Sequence, residues 1–385
     1  MSEVVEFLPQ QRIRHGVGSL QHVEDELLAL GAKSVLLLST PPLEGSPLLA
    51  ELVKALGPRC RRVLPLITSH APVDQVVRAA AAAAEAGVDT IVALGGGSVV
   101  DAAKVVAACV HLRRFEEDVV DDERLMGKAR SDWGLEPWSC RVLAIPTTLA
   151  AAEFTHLAGV AVPRESRKAI LAHPRLTPAA VLLDPVAVKD TPLPLLLSSG
   201  VRALDHAVER ICSIRRHAYG HVLSIQAVKT LVASLRAAHR DPQSLQARAD
   251  CQYGAWLSMA GFCAPSPFGA SHGIGYLLGV AKGVEHGLTS CVYLPAVLAF
   301  NEEVLGDVSD ELSEALGGRR GDAPAALMRA LISSLGLPTT YAELGLARQD
   351  LEDVARSYDG SGPIGTNPRT VKGSGQLLDI LLSAA

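Results

Sequence analysis

Short apolar runs alternate with amphipathic stretches through residues 12–110, the pattern of a parallel sheet covered by helices. Ser34-Val-Leu-Leu-Leu-Ser39 predicts a strand, Leu64-Pro-Leu-Ile67 a weaker one, and residues 46–56 between them a helix. Val73, Val76, Val77, Ala80, Ala81 and Ala84 recur at helical spacing, after which residues 89–94, apolar from Ile91, read as a buried strand. Residues 112–138 interrupt the rhythm with an acidic segment and two tryptophans, Trp133 and Trp138; a surface excursion is the first reading, a lid over a site the second. Arg141–Pro146 returns as a strand, and residues 157–162, 168–171 and 179–184 complete the β-rich part. Beyond Asp184-Pro185 long helical periodicities take over, so the boundary lies near 185–195 and divides an α/β domain, 1–188, from a helical one, 189–385.

Within this pattern the run Ile91-Val-Ala-Leu-Gly-Gly-Gly-Ser-Val-Val-Asp-Ala-Ala-Lys104 stands out. An apolar strand breaks into three glycines and opens a helix, and Ser98 followed by Asp101 has the form of a capping box. Without Cβ atoms, Gly95, Gly96 and Gly97 let backbone N–H groups approach an anion, and the helix N-terminus adds partial positive charge. A phosphate or pyrophosphate is the natural guest; a plain tight turn whose glycines supply positive φ is the alternative. The turn ends a strand, where open α/β sheets bind ligands. Thr147-Thr148, after the strand at 141–146, adds hydroxyl donors of the kind that bind phosphate.

In the helical half, Arg202 and His206 lie four apart on one helix face. His272 and His286 lie fourteen apart in glycine-flanked settings, and Tyr276 follows His272 by four. A lone histidine on a helix is ordinarily a core or surface residue; three in such settings carry more weight.

Composition narrows the classes. Hydrophobic residues make up 48% and charged ones 20% of 385 residues, an ordinary globular balance long enough for two domains. A net charge of −5, no basic run longer than two and 4% aromatic residues exclude a nucleic-acid surface. Seven scattered cysteines without a Cys-x-x-Cys pair argue against a disulfide framework and a thiolate zinc site, and fit a reducing compartment. With no signal-peptide pattern and no stretch of about 18 uncharged apolar residues, the expectation is a cytoplasmic protein with no membrane partner.

Gly95–Lys104, Ile145-Pro-Thr-Thr148, Ser199-Gly-Val-Arg-Ala-Leu-Asp-His-Ala-Val-Glu209 and His272…His286-Gly…Leu294-Pro-Ala-Val-Leu-Ala-Phe-Asn301 resemble the successive motifs of the iron-containing alcohol dehydrogenase family. The resemblance runs from Gly16 to Arg369 and leans towards the maleylacetate reductases, as Ser39-Thr-Pro41 and the motif spacing are similar to theirs. It implies a dehydroquinate synthase-like fold: an α/β dinucleotide-binding domain, an all-α domain, and catalysis in the cleft between them. It also implies NAD(H) or NADP(H) as cofactor. Gly95, Gly96, Gly97 and Ser98 would hold the pyrophosphate, and Thr147 and Thr148 would complete the cradle. Asp101 and Lys104 would lie towards the ribose and nicotinamide, and Ser39 and Thr40 would meet the adenine ribose. No acidic residue or arginine in Ser39-Thr-Pro41 chooses between the two cofactors. Pairing of two copies through the nucleotide domain is the expectation for this fold class.

The departures are equally informative. Metal-dependent members bind a divalent ion through an aspartate, a histidine four residues later and two histidines fourteen apart. His206, His272 and His286 occupy the histidine positions, but Arg202 stands at the aspartate's, where a guanidinium has no lone pair and repels a cation. Asp205, one residue from His206, is expected to point about 100° away around the helix and not to replace it. Tyr276 stands where many relatives have a further histidine. The expectation is therefore a metal-independent reductase of a small acidic carbonyl compound. Arg202 would hold a carboxylate or oxyanion, and His206, His272, Tyr276 and His286 would line the site. The alternatives are a non-redox lyase or cyclase on the same fold, a metal-dependent alcohol dehydrogenase, a non-catalytic nucleotide-binding protein, or a degenerate site with Arg202 turned to an acid such as Glu209.

Overall fold

The structure is a computed structural model describing residues 7–10, 12–125, 137–165, 167–260 and 267–385. The chain forms two compact units, Phe7–Asp190 and Thr191–Ala385. The first contains β1 (Arg12–His15), α1 (Val23–Leu30), β2 (Val35–Ser39), α2 (Pro47–Leu56), β3 (Cys60–Pro65), α3 (Val73–Glu85), β4 (Thr90–Gly95) and α4 (Gly97–Leu112). β5 (Arg141–Pro146), β6 (Leu157–Val162), β7 (Arg167–Ala172) and β8 (Ala180–Leu183) follow.

Six strands form a parallel sheet in the order β1-β8-β5-β4-β2-β3, and β6 and β7 pair as a separate antiparallel hairpin. The central strands are buried on both faces, which is why they read as continuous apolar runs. Leu36, Leu38, Ile91 and Ala93 pack with α3 and α4 on one side, while Val35, Leu37, Val92 and Leu94 pack with α1 and α2 on the other. The chain leaves β2 for β3 in one direction and β4 for β5 in the other, so the ends of β2 and β4 flank the topological switch point of the sheet. The third strand begins four residues before the apolar run that suggested it, because edge strand β3 opens with two adjacent exposed arginines, Arg61 and Arg62, ahead of its half-buried positions.

The acidic segment 112–138 is described only in part. Val119, Val120, Leu125 and Trp138 are buried in the α3/α4 core, so the excursion is anchored there. Trp138 stacks between His111 and His173, with ring centroids 5.4 and 5.0 Å away. Trp133, and with it the lid reading of residues 126–136, lies outside the described residues.

The second unit is helical: α5 (Leu193–Cys212), α6 (Ala218–Arg240), α7 (Leu245–Ala260), α8 (Ala270–Lys282), α9 (His286–Leu305), α10 (Asp307–Ala315), α11 (Pro324–Ser334), α12 (Arg348–Arg356) and α13 (Gly373–Leu382). Every residue of α5 from Leu196 to Cys212 is buried, so this helix is a central rod with no solvent face. α9 is long and apolar enough to cross a membrane, yet 67% of its apolar window is buried within the protein, as befits a core helix.

Candidate active site

In the first unit, three loops leave adjacent strand ends together: Thr40 after β2, Gly96-Gly97 after β4 and Thr147-Thr148 after β5. Gly95 pairs with Pro146 across the sheet, and the Thr147 N–H donates to the Gly95 carbonyl at 3.0 Å. None of the three glycines has positive φ; what they supply is room. A Cβ on Gly95 would lie 2.5 Å from Val99 Cγ2, and one on Gly96 would lie 3.1 and 3.3 Å from Thr148 Cγ2 and Oγ1. The backbone of this turn is thus bare and close to a threonine hydroxyl at the start of a sixteen-residue helix, the donor set an anion needs.

The predicted capping box is absent. Gly96 is the N-cap of α4 and no side chain caps it. Ser98, inside the first turn, instead accepts the His70 N–H at 3.0 Å. That bond holds the loop after β3, where His70 and Ala71 both have positive φ; two adjacent residues of that kind carry no sequence signal. Ser39 is also displaced from its expected role: it is fully buried and its hydroxyl donates to the Leu94 carbonyl at 2.8 Å, tying β2 to β4. Thr40 is half-buried at the strand end.

Asp101 and Lys104 turn towards the hairpin. Asp101 accepts the Gly159 N–H at 3.0 Å and pairs with Lys104 at 3.3 Å. The wholly buried Lys104 ammonium also donates to the Ala152 carbonyl at 2.7 Å, to Thr155 Oγ1 at 3.1 Å and to the Leu157 carbonyl. Burial lowers its pKa against the pull of Asp101. Lys104 therefore braces the hairpin from within, and its charge is spent on protein oxygens. Lys168 on β7, which sequence reasoning missed, lies across Gly159: a Cβ there would fall 2.9 Å from Lys168 Nζ and 3.6 Å from Asp101 Oδ2.

In the second unit, α5, α8 and α9 carry the five predicted residues and several unpredicted ones. Glu209 accepts the Gly269 and Ser271 N–H groups, each at 2.7 Å, and so closes the positive end of α8 with a carboxylate. Its Oε2 also accepts from His272 Nδ1 at 2.7 Å. A carboxylate only accepts, so Nδ1 carries the proton, and a neutral His272 presents a lone pair at Nε2. That Nε2 is buried and has no hydrogen-bond partner among the described residues, and the same holds for His206 Nδ1. The His206 and His272 rings lie 5.0 Å apart, and Phe268 stacks on His272 at 4.0 Å. Burial, followed by the neighbouring His272 and Arg202, pushes the pKa of His206 well down, so this imidazole is neutral. Tyr276 and His286 meet edge to face at 5.6 Å.

Arg202 and Asp205 correct the helix-face argument. Arg202 Nη1 donates to Asp205 Oδ2 and to Ser290 Oγ, each at 3.1 Å, and Asp205 Oδ1 lies 3.6 Å from His272 Nδ1. Asp205 does reach the site, because α5 is enclosed on all sides and α8 begins where both Asp205 and His206 can meet it. Asp205 Oδ2 accepts further from Ser271 Oγ at 2.9 Å and Ser290 Oγ at 2.6 Å. Burial opposes ionisation of Asp205, but the neighbouring His272, the Arg202 guanidinium and the Ser290 hydroxyl outweigh it and hold the carboxyl far below its ordinary range. Arg202 thus does turn to an acid, and the acid is Asp205, since Glu209 is occupied by α8. Gly275 completes the junction: a Cβ there would lie 2.9 Å from Thr289 Oγ1, 3.6 Å from His286 Nδ1 and 3.8 Å from Arg202 Nη1.

Asp205, Glu209 and His272 bring one ligand atom each within 4.8 Å of one another, a group that could hold a metal ion. Asp205 and Glu209 escaped the sequence reading as site residues, although an aspartate and a glutamate four apart on a buried helix are a usable signal.

The architecture is that of a nucleotide-dependent oxidoreductase family. The profile of the iron-containing alcohol dehydrogenase family matches residues 9–185, and that of the C-terminal part of the Fe-containing alcohol dehydrogenase family matches residues 196–384. The chain belongs to this family. It has the dehydroquinate synthase-like fold and is an NAD(P)-dependent oxidoreductase. Among its relatives, it is similar to the maleylacetate reductase of Burkholderia cepacia, with 31% identity over 89% of this chain and 88% of the relative. Maleylacetate reductase 1 of Rhodococcus opacus is 31% identical over 97% and 94%. The crystal structure of maleylacetate reductase from Rhizobium sp. strain MTP-10005 superposes with a TM-score of 0.83 at 26% identity, covering 100% of this chain and 99% of that one.

Proposed function

We propose that the protein is a metal-independent, NAD(P)H-dependent reductase of a small acidic carbonyl compound, with maleylacetate the first substrate to try. The observation that carries this reading is the Arg202 guanidinium, fixed by Asp205 and Ser290 where α5, α8 and α9 meet. Among the described residues its hydrogen bonds are made by Nη1, so Nε and Nη2 remain to bind a carboxylate or developing oxyanion. The bare turn at Gly95–Gly97 and the Thr148 hydroxyl suit the pyrophosphate of the dinucleotide, with Thr147 holding the turn and Ser98 its flanking loop. When bound, reduced nicotinamide supplies a hydride. His272 or His286 would deliver the accompanying proton, with Tyr276 as a second donor. His206, neutral, would line the pocket. The likeness to maleylacetate reductases supports an acidic substrate.

A second reading rests on Asp205, Glu209 and His272: a metal-dependent dehydrogenase with its ion there. Against it, both Glu209 oxygens and Asp205 Oδ2 already accept protein donors, and the His272–Glu209 separation of 2.7 Å is a hydrogen bond that an ion would have to break. Elemental analysis of purified protein should find substoichiometric iron and zinc, with activity surviving chelation. One tightly held metal per chain whose removal abolishes turnover would establish the second reading. Loss of the reduced-nicotinamide absorbance on adding maleylacetate tests the redox claim; a substrate consumed with that absorbance unchanged would mean a lyase or cyclase.

A further inference from the structure

Arg202, Asp205 and Ser290 form a closed ring: Arg202 Nη1 donates to both of the others, and Ser290 Oγ donates to Asp205 at 2.6 Å. Asp205 is fully buried, and about 8% of the Arg202 side chain remains open. Ser271 adds a third donor to Asp205 Oδ2, so one carboxylate oxygen fastens α5 to α8 and α9. A merely structural arginine–carboxylate pair would use the two-pronged edge of the guanidinium, the geometry that gives such pairs most of their strength. Here a single nitrogen is engaged and the rest of the plane is left over. A Cβ on Gly275 would lie 3.8 Å from Nη1, so the glycine leaves room beside the guanidinium.

We infer that Asp205, with Ser290, is a positioning residue: it holds the Arg202 guanidinium as a built-in cation for the site, aimed with Nε and Nη2 free for the substrate anion. The inference rests on the anion-holding reading of Arg202. It goes further in assigning the holding of that cation to a carboxylate three residues along the same helix. In the absence of Arg202, the fork of Asp205 and Ser290 remains, a negative socket of guanidinium shape.

Chemical rescue tests this without knowledge of the natural substrate. Methylguanidinium titrated calorimetrically into Arg202→Ala should bind saturably at millimolar concentration, while the wild type and the double variant Arg202→Ala/Asp205→Asn bind at least tenfold more weakly. With maleylacetate and NAD(P)H, the same ion should restore turnover to Arg202→Ala and not to the double variant. In the wild-type background, Ser290→Ala should raise KM for the acidic substrate several-fold while the Kd for NAD(P)H stays the same; this variant serves if Asp205→Asn does not fold. Equal binding of methylguanidinium to single and double variants, or an unchanged KM in Ser290→Ala, would overturn the assignment. Full activity in Arg202→Ala would instead remove the anion-holding reading itself, while calorimetry still reports on the socket.

Discussion

The glycine turn of the first unit and the helix junction of the second gather polar groups by opposite means. At Gly95–Gly97 the surface is backbone, bare because side chains are missing, and its polarity comes from N–H groups and a helix end. At the junction it is side chains, and its carboxylates are held by their neighbours: Glu209 by α8, Asp205 by Arg202 and two serines. A backbone site is written in a few consecutive letters. A side-chain site is written in pairs of residues 60 to 88 positions apart, as Glu209 with Gly269 and Arg202 with Ser290 are.

The sharpest way to break the comparison is at Glu209. Glu209→Ala would leave two α8 N–H groups and His272 Nδ1 buried without an acceptor, at a cost of about 3–5 kcal/mol. Denaturant unfolding should show that loss; a change below about 1 kcal/mol would mean that the junction is not the cooperative network its hydrogen bonds describe.

Next comes Arg202. A charge-assisted contact to substrate is worth about 1.5–3 kcal/mol, so Arg202→Ala should lower kcat/KM by roughly one to two orders of magnitude with cofactor affinity unchanged. Arg202→Asp restores the ligand set of metal-dependent relatives, and should take up a divalent ion and reject an acidic substrate. If Arg202→Ala keeps its kcat/KM, the junction is structural and only the turn is functional.

These two tests fall on the residues that mark the limit of legibility. The alternation of strand and helix, the strand ends and the glycine turn were readable because periodicity and missing Cβ atoms are local properties. The family motifs carried Arg202, His206, His272 and His286 to one junction for the same reason. What was not readable was orientation. The helix-face argument separated Asp205 from His206, which holds for a helix with one buried face, but α5 is buried all round and both residues reach α8. Ser98 and Ser39 look like free hydroxyls in sequence, and both are used by neighbouring loops or strands instead. Lys104, which the family motif would set towards the nicotinamide, donates its buried ammonium to protein oxygens.

On the turn, Gly96→Val asks whether the room is functional. Gly96 has φ −77° and ψ −172°, a conformation any residue adopts, so the backbone is not strained by the change. The added Cβ meets Thr148 at 3.1 to 3.3 Å, and the branched methyls crowd the face offered to pyrophosphate. About 1–3 kcal/mol of overpacking corresponds to a roughly ten- to hundredfold weaker Kd for NAD(P)H by calorimetry. Retained affinity would show that the dinucleotide does not lie against this turn.

The smallest expected effect belongs to Glu153, which lies beside the Lys104 brace in the first unit. Burial, aided by the nearby charge of Asp101 and opposed by Lys104, pushes its carboxyl up to about 7 from an ordinary 4.5. The folded chain therefore keeps a proton between those values that the unfolded chain releases. In that window the folded state binds more protons, so stability contributed by Glu153 falls as pH rises from about 4.5 to 7 and is flat above. His173, held down to about 4 by burial and by Arg175 and His111, slopes the other way up to its ordinary 6.5, so the raw profile mixes the two. The difference between wild type and Glu153→Gln separates them. Urea unfolding should show the variant gaining on the order of 2–3 kcal/mol relative to wild type between pH 5 and pH 8. A difference that stays constant across this range would place the Glu153 carboxyl in contact with water or a cation, and would make the Lys104 brace a fully ionised cluster.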